Sequence, residues 1–478
     1  MKIRRHFTRL PLFLAGAFVG LSSLYPGVVH GLSDGTPASA INSRFGTGFN
    51  TPPTDAALQP DGKVVIVGGF TSYNGVAVPG IVRLNTDGSI DSAFNSAVGT
   101  GATSAGIGVV ALQTDGKIVI GGTFNTWNGT AAGRITRLNA NGSLDTAFNS
   151  NIGSGISGGV GSSAGAIPFD FEIQPDGKII VVGDFTQFQS SMQEFVLRLN
   201  SNGTSDTSFN SNVASIVDLY MFDVALQSTG HIVITGGNVG AGGVTNAGII
   251  RFSSTGILDG AFTTAVGTGA AAVSGGFTST ATVLSDNSII VGGKFSQFGS
   301  STADALAKLS ANGTIDTTFG ASLTSGIAGN MSVSPYQSMS MILPQSDNSF
   351  LIGGCFLTMN GVSSPGVARI TTAGQVDSSF GSKLGTGFNG CIRDMLTMPD
   401  GTVLTIGDFT SLNGSTANGI ASLGVSIATS TTTTTTSPES SVQRSLPTTG
   451  LTTSLWSAFS IVMLMSGIVL LRLRNTRN

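Results

Sequence analysis

The chain has 478 residues, only 10% of them charged, and its formal net charge at pH 7 is −3. With so few cationic side chains, no basic stripe is available to neutralise phosphates, which argues against a nucleic-acid-binding protein. Histidines and glutamates are also scarce, so general bases and nitrogen ligands are in short supply, and we expect no catalytic residues, no metal site and no cofactor.

The N-terminal segment has the pattern of a secretory signal peptide over residues 1–31. A basic start is followed by an apolar stretch from Leu10 to about Tyr25, which Pro26 interrupts. The stretch is too short and wrongly flanked for a membrane-spanning helix. Small residues permit cleavage after Gly31 or as late as Ala40, and the sequence does not choose between them.

Residues 41–425 contain seven copies of one phrase, D-G-K-(apolar)4-G-G-x-F followed by R-L-N-x-x-G-x-(I/L)-D-x-x-F. Its anchor glycines lie 53 to 62 residues apart, at Gly68, Gly121, Gly183, Gly236, Gly292, Gly353 and Gly407. A β-like repeat of this length is typical of a propeller.

The first full repeat unit predicts four strands. Asp55–Gln59 is a short strand, and Pro60, Asp61 and Gly62 form a tight turn. Lys63–Gly68 is an almost wholly apolar strand, as expected when both faces of a sheet are covered. Gly80–Asn85 and Ser89–Phe94 follow as the third and fourth strands. The sequence therefore predicts an all-β, seven-bladed β-propeller of four-stranded antiparallel blades.

An N-terminal strand is expected to close the ring. The D-x-x-F ending occurs six times, and Ile41–Asn50 has the sequence of a seventh ending. The last unit stops after its third strand, so residues 41–45 should pair beside Ile420–Leu423 and leave no free sheet edge. Deleting residues 41–50 should then destabilise the whole domain.

At D-G-K-(V/I)3 and D-x-x-F the sequence resembles the delta-60 repeat family of bacterial surface and secreted proteins. The resemblance covers nearly all of residues 41–425. It implies a β-propeller fold and does not indicate an activity.

Four-stranded blades would separate two faces of the ring. The first–second and third–fourth strand turns are tight and uniform on one face, whereas the second–third loops and the connections between blades are long and variable on the other. Function concentrates on such loops, so we expect the binding face there.

Two sets of candidate ligand-binding residues follow from this arrangement. The first set occupies the same position in each second–third loop. These residues could form an aromatic rim that binds sugars or proteins, or they could pin each loop to its blade. They are Tyr73, Trp127, Phe188 and Phe298, with Met359 and Leu412. The second set lies at the start of the innermost strands. These residues could form a crown at the channel mouth that binds hydroxyls or a cation such as Ca²⁺, or they could accept hydrogen bonds from backbone N–H groups. They are Asp55, Asp170, Asp223 and Asp394.

The D-x-x-F aspartates recur with unvaried spacing, which indicates a structural role. The two cysteines, Cys355 and Cys391, fall at points expected to lie on the same face of neighbouring blades. In an exported chain they are a candidate disulfide, with free thiols as the alternative.

Residues 427–445 include six consecutive threonines and cannot bury a core, so we expect an extended stalk. The next residues resemble the LPxTG cell-wall sorting signal of Gram-positive-type bacteria, with the motif Leu446, Pro447, Thr448, Thr449 and Gly450. A hydrophobic segment at 455–471 is just long enough for a transmembrane helix, and a basic tail at 472–478 should remain cytoplasmic.

The resemblance to the sorting signal implies that a sortase transpeptidase cleaves between Thr449 and Gly450 and joins the chain to peptidoglycan. The alternative is an ordinary C-terminal membrane anchor. In both cases the protein contacts the membrane only through its C-terminal helix. We expect it to be exported and held on the cell surface.

The sequence thus favours a non-catalytic, wall-anchored protein that binds or adheres to an extracellular ligand, such as a glycan, matrix or another cell, through its variable loops. One alternative is a surface carbohydrate-active enzyme that uses the channel-mouth aspartates. Another is a structural surface component without a specific ligand.

Overall fold

The computed structural model describes residues 33–425 except 103–105, 161–164, 215–220, 238–239, 242–243, 246–247, 272–275 and 332–338. This part of the chain is all-β, as predicted, and is built from small antiparallel sheets with short helices between them. The predicted signal peptide, stalk, sorting motif, terminal helix and basic tail lie outside the described residues.

The elements follow one another in a repeating order. The N-terminal segment and the first unit comprise β1 (Ser33–Pro37), α1 (Ser39–Asn42), a 3-10 helix (Ser43–Phe45), β2 (Pro53–Leu58), β3 (Val64–Gly68), β4 (Ser72–Tyr73), β5 (Val76–Ala77), β6 (Ile81–Leu84) and α2 (Ser92–Val98). The second and third units comprise β7 (Ile107–Leu112), β8 (Ile118–Gly122), β9 (Thr126–Trp127), β10 (Thr130–Ala131), β11 (Ile135–Leu138), α3 (Thr146–Ile152), β12 (Ile156–Ser157), β13 (Ile167–Ile173), β14 (Ile179–Asp184), β15 (Gln187–Phe188), β16 (Ser191–Met192), β17 (Val196–Leu199) and α4 (Thr207–Val213).

The later units keep this order. The fourth and fifth comprise β18 (Met221–Leu226), β19 (Ile232–Gly236), β20 (Gly240–Ala241), β21 (Val244–Thr245), β22 (Ile249–Phe252), α5 (Gly260–Val266), β23 (Ala270–Ala271), β24 (Phe277–Val283), β25 (Ile289–Lys294), β26 (Gln297–Phe298), β27 (Ser301–Thr302), β28 (Leu306–Leu309) and α6 (Thr317–Ala321). The sixth and seventh comprise β29 (Ile327–Asn330), β30 (Met339–Pro344), β31 (Phe350–Gly354), β32 (Phe356–Met359), β33 (Val362–Ser363), β34 (Val367–Ile370), α7 (Ser378–Leu384), β35 (Ile392–Thr397), β36 (Val403–Gly407), β37 (Ser411–Leu412), β38 (Ser415–Thr416) and β39 (Ile420–Val425).

Each unit contributes one antiparallel sheet whose middle strand comes second in the chain. In the first unit β3 lies between β2 and β6, with Val65 opposite both Ala57 and Arg83. All five residues of β3 are buried, as its apolar sequence predicts. The turn into β3 also forms as predicted, because Gly62 adopts a positive φ of 82° that a residue with a side chain rarely takes.

We call the first strand of each sheet its inner strand: β2, β7, β13, β18, β24, β30 and β35. Each inner strand of the described chain contacts the inner strand of the next unit, and β35 contacts β2. The apolar cores lie between consecutive sheets. Val65 of β3 packs in one cluster with Ile118 of β8, while Val64 on the opposite face packs with Leu404 of β36. Each such burial contributes roughly 1.5–3 kcal/mol.

The predicted fourth strand of each unit is wrong: that segment is a short helix. In the first unit only an isolated bridge, between Leu84 and Ile90, extends the sheet. The side chain of Asp91 then accepts the N–H of Phe94 at 3.2 Å and caps α2. Aspartate at an N-cap satisfies a backbone donor that a helix otherwise leaves unpaired, which explains why the chain turns helical here.

The N-terminal segment does pair beside the last strand, but the predicted residues 41–45 are not the ones that pair. β1 is the strand that joins β39, with Ser33 opposite Val425 and Pro37 opposite Leu423. Residues 39–45 are instead helical, as their counterparts in the D-x-x-F segments are. Asn42 holds this helix to the sheet, since its Oδ1 accepts the N–H of Ser422 at 2.6 Å.

A short hairpin joins the second and third strands of each unit: β4–β5, β9–β10, β15–β16, β20–β21, β26–β27, β32–β33 and β37–β38. We call the sheet ends from which these hairpins arise the loop side. The opposite ends carry tight turns such as 59–62 and 85–88, and we call them the turn side. Strand β39 runs from the loop side to the turn side, because Ile420 lies opposite Ile406 and Leu423 opposite Val403.

Candidate functional site

Every inner strand has a β-bulge at the same place, and the predicted aspartates follow it directly. In β2 the pairing register shifts between Pro53 and Asp55. Equivalent shifts occur in the other six inner strands. A bulge re-aims the neighbouring side chain. The residue after it is Asp55, Val109, Asp170, Asp223, Thr280, Met341 or Asp394 in turn.

The four aspartates accept backbone hydrogen bonds from the next inner strand. The N–H of Val110 donates to Oδ2 of Asp55 at 2.7 Å. The same bond recurs from Val224 N–H to Asp170 at 2.9 Å, from Ala281 N–H to Asp223 at 2.6 Å and from Ala56 N–H to Asp394 at 3.1 Å. Each aspartate thus ties two neighbouring units together, which is the structural alternative considered for this set.

Asp55 and Asp394 form one acidic pair. Both accept the N–H of Ala56, which lies 2.8 Å from Oδ1 of Asp55 and 3.1 Å from Oδ2 of Asp394. Burial raises the pKa of Asp55 to about 6. Burial and then the charge of Asp55 raise the pKa of Asp394 well above its usual range. The pair therefore retains a proton to a higher pH than exposed carboxyls do.

Asp170, Asp223 and Glu172 form a second acidic group. Burial, followed by the charge of Asp223, raises the pKa of Asp170 well above its usual range. The same two causes raise the pKa of Glu172 to about 8. Sequence reasoning missed Glu172, although its position two residues beyond Asp170 places both side chains on one side of the strand.

The acids do not form an unbroken crown. The two groups are separated by inner strands that carry Val109, Thr280 and Met341 at the aspartate position. Across the described residues, no group of three or more His, Cys, Asp and Glu has an arrangement that could hold a metal ion.

The loop-position residues predicted as an aromatic rim are buried. Tyr73, Trp127, Phe188, Phe298, Met359 and Leu412 are all 3% exposed or less. The hydroxyl of Tyr73 donates to the carbonyl of Gly88 at 3.1 Å. Because Gly88 lies in a turn-side loop, the hairpin folds back along the outside of its sheet instead of standing away from it. The reading as a ligand-contacting rim is therefore wrong, and these residues pin the hairpins.

The most regular residues of the repeat form a clamp between units. The guanidinium of Arg137 donates to Asp145 at 2.8 Å and to Gln113 at 2.7 Å, and it lies 4.2 Å above the ring of Phe148. It also donates to the carbonyl of Ser201 in the next unit. Arg83, Arg198 and Arg251 make the corresponding contacts. These contacts assign the D-x-x-F aspartates a structural role.

Exposed apolar side chains concentrate on the hairpins. Among the described residues the large exposed hydrophobic side chains are Val76, Val160, Met192, Ile257 and Leu357. Val76, Met192 and Leu357 lie on hairpin strands, and Met192 is 80% exposed. Ile257 lies in a turn-side loop. Isolated exposed hydrophobic residues are common, and three of these five lie on hairpins.

A cavity of about 620 Å³ opens between the first and second units on the loop side. Its lining includes Phe70, Pro79, Thr100 and Ile107, together with several glycines. None of the described residues that line it is ionisable, and the candidate aspartates are not among them.

The two cysteines form a disulfide between the sixth and seventh units. The Cα atoms of Cys355 and Cys391 lie 4.2 Å apart, and both side chains are buried. Cys355 follows β31 and Cys391 precedes β35. The bond therefore links the start of one hairpin to the inner strand of the following unit.

The candidate sorting residues Leu446, Pro447, Thr448, Thr449 and Gly450 lie outside the described residues. Within the described part of the chain, no helix is long and apolar enough to cross a membrane.

Several of the repeats are similar to a known protein family. Six segments match the family described as "Domain of unknown function (DUF5122) beta-propeller": residues 59–94, 113–148, 174–209, 284–319, 345–380 and 399–422. This match supports a β-propeller repeat family. The fourth unit is not among the matched segments, yet Arg251 and Asp259 form the same clamp there.

Solved structures give distant similarities. The extracellular domain of a hybrid two-component system from B. thetaiotaomicron is 12% identical with a TM-score of 0.43, over 78% of this chain and 40% of that one. A catalytically inactive virginiamycin B lyase from Staphylococcus aureus is 14% identical with a TM-score of 0.40, over 79% and 96%. YCF48 from Cyanidioschyzon merolae is 11% identical with a TM-score of 0.40, over 78% and 96%. These similarities carry no weight for function. No curated protein matches the sequence significantly.

Proposed function

Because the repeats are those of a β-propeller repeat family, we propose that this chain is a seven-bladed propeller displayed outside the cell. Its first residues close the ring, and a sortase joins it to peptidoglycan through the LPTTG motif. Its hairpin surface, formed by the seven hairpins between second and third strands, binds an extracellular ligand such as a glycan, a matrix protein or another cell.

Seven blades and closure are supported by the arrangement of the inner strands. Each contacts the next, and the contact of β35 with β2 returns to the first unit. The bond from Ala56 N–H to Asp394 joins the last unit to the first by the same contact that joins the third to the fourth. Burying every sheet between two neighbours explains why the middle strands are apolar on both faces.

The observation that carries the binding proposal is that the hairpins arise from the sheet ends opposite to the end at which β39 finishes. Strand β39 ends at Val425 on the turn side, where the chain continues toward the stalk. The exposed apolar side chains of Val76, Met192 and Leu357 lie on hairpins that arise from the opposite side. We expect these exposed apolar side chains to contribute to the contact between the hairpins and a ligand.

A binding screen with residues 32–426 against glycans and extracellular proteins tests the proposal. The triple variant Val76→Ser, Met192→Ser, Leu357→Ser should lower the affinity for any ligand found at least tenfold. The control Ile257→Ser removes a side chain that is 60% exposed from the turn side and should leave binding unchanged. Exposed substitutions of this kind change the free energy of unfolding by about 0.5 kcal/mol or less. A screen without a ligand would favour a structural surface component.

The pairing of Asp55 and Asp394 around the N–H of Ala56 favours an enzyme as the second candidate. The raised pKa values of Asp55 at about 6 and Glu172 at about 8 give these carboxyls the proton affinity that acid–base catalysis near neutral pH requires. Replacing Asp55, Asp170, Asp223 and Asp394 by Asn should abolish turnover of a polysaccharide while leaving adhesion intact. Loss of adhesion together with the fold would favour neither candidate and would identify these residues as structural.

Wall anchoring is tested separately from binding. Muramidase should release the natural protein from cell walls with Thr449 as its last residue, amide-linked to a wall amine. The double variant Leu446→Ala, Pro447→Ala should instead be extracted by detergent with its C-terminal segment intact. Detergent extraction of the natural protein with that segment present would support an ordinary membrane anchor.

A further inference from the structure

Strand β1 is the element that separates the two cleavage sites considered for the signal peptide. It spans Ser33–Pro37 and pairs with β39, so it lies between Gly31 and Ala40. In the first six units a covalent turn joins the third strand to the following helix. The seventh unit has no such turn. Its third strand, β39, pairs instead with β1, which leads into the helix from the N-terminal side.

Contacts integrate β1 into the fold. Ser33 is 1% exposed. Gly35 adopts a φ of +86°, and a Cβ at this position would lie 2.5 Å from the carbonyl oxygen of Phe380. Asp34 forms an ion pair with Lys383 at 3.0 Å. Such a close approach is available only to glycine, so this segment is fitted to its place against the sixth unit.

The residues after β1 continue these contacts up to the second site. The N–H of Ala38 donates to the carbonyl of Ser422 at 2.9 Å. Ser39 and Ala40 form the first half of α1, whose Asn42 bonds the same serine. Cleavage after Ala40 would remove β1, the Ala38 hydrogen bond and two of the four residues of α1. It would also leave β39 as an unpaired sheet edge.

We infer that export cleavage hydrolyses the Gly31–Leu32 peptide bond and leaves the Ala38-Ser39-Ala40 sequence uncut. The inference rests on the proposed export of the chain. One water is consumed, the C–N bond breaks, and the products are the carboxylate of Gly31 and the free amine of Leu32. The mature chain then keeps every residue of β1. Gly31 and Val29 provide the small side chains that a signal peptidase requires before the cut.

N-terminal sequencing of the full-length protein recovered from producing cells tests this inference. The expected N-terminus is Leu32. An N-terminus at Ile41 overturns the cleavage assignment while leaving export intact. A protein that retains Met1 inside the cell contradicts export itself, so the two failures are distinguishable.

A matched pair of full-length variants provides the second arm. Gly31→Phe places a large side chain directly before the proposed cut and should abolish processing, so that residues 1–31 remain attached. Ala40→Phe places the same side chain before the alternative cut, at an exposed position, and should be processed as the natural protein is. Normal processing of Gly31→Phe, or a block by Ala40→Phe, overturns the assignment.

Discussion

At the residue scale, the repeated arginine joins four partners that come from two units. Arg137 bonds Asp145 and Gln113 of its own unit and a carbonyl of the next, while its guanidinium covers the ring of Phe148. Both charged side chains are about nine-tenths buried. Removing one partner of such a pair leaves an uncompensated charge, which is far more destabilising than losing a surface ion pair.

Arg137→Met should therefore lower the free energy of unfolding by about 3 kcal/mol, because Asp145 loses its buried counter-charge and keeps only the more exposed Lys117, 3.4 Å away. Lys383→Met, which breaks the more exposed pair with Asp34, should lower it by about 1 kcal/mol or less. Urea denaturation of both variants measures the difference. Equal losses would contradict the assigned role of the clamp.

The inner carboxyls give stability a defined dependence on pH. Glu172 has a pKa of about 8 in the folded protein against an ordinary value of 4.5. Between these values the folded state holds more protons than the unfolded state, so the free energy of unfolding falls as pH rises. Asp91 acts in the opposite sense, since the hydrogen bond from Lys63 lowers its pKa to about 2. Its contribution to the free energy of unfolding is therefore lost only in acid.

Glu172→Gln should flatten the loss of stability between pH 5 and pH 9, because the substituted side chain no longer takes up a proton on folding. Melting temperatures across this pH range provide the measurement. If Glu172→Gln leaves the slope of melting temperature against pH unchanged, the raised pKa of Glu172 is contradicted.

At the element scale, the sequence predicts the sheets better than the segments between them. Strands such as β3 are readable because their apolar runs and flanking turn residues act locally. The Ser89–Phe94 segment was expected to be a strand, since short alternating segments suit either structure. The helix is decided by two contacts that the sequence does not display: the cap of Asp91 on Phe94 N–H, and the packing of the Phe94 ring against Gly142 of the next unit.

A comparison of two aspartates separates capping from ion pairing. Asp316 caps α6 but lies 3.9 Å from Lys308 and is 38% exposed, so Asp316→Ala should lower the free energy of unfolding by about 1 kcal/mol. Asp145→Ala removes a cap and the buried partner of Arg137 together, so its loss should be about 3 kcal/mol or more. Asp115→Ala, at an exposed ion pair, serves as the control in the same denaturation series.

The residues of the candidate site could be predicted only where their position in the repeat is constant. Asp55 and its three counterparts were found because their spacing from the following turn is constant. Glu172 was missed because it occurs in a single unit. The loop-position residues were located correctly, but their burial depends on how Tyr73 and its hairpin fold back onto the sheet, which no local pattern reports.

At the scale of the whole molecule, the disulfide adds a covalent link between consecutive units. It closes a loop with a sequence separation of 36 residues, and constraining such a loop in the unfolded chain stabilises the folded state by roughly 4 kcal/mol. The double variant Cys355→Ser, Cys391→Ser should therefore melt at a lower temperature.

Thiol titration tests the bond itself. The unreduced, denatured protein should contain no reactive thiol and should gain two after reduction. The reduced natural protein should melt like the double variant. Two reactive thiols without reductant would instead support the free-thiol alternative.

The pairing of β1 with β39 also decides how the domain responds to tension. A pull between Val425 and a hairpin runs along β39, and because ladder hydrogen bonds lie perpendicular to the strands, the bonds to β36 must fail together in shear. A pull between Ser33 and Val425, which lie opposite each other, instead peels the junction between β1 and β39 open one bond at a time. Single-molecule extension should therefore record a high rupture force for the first geometry and a low one for the second.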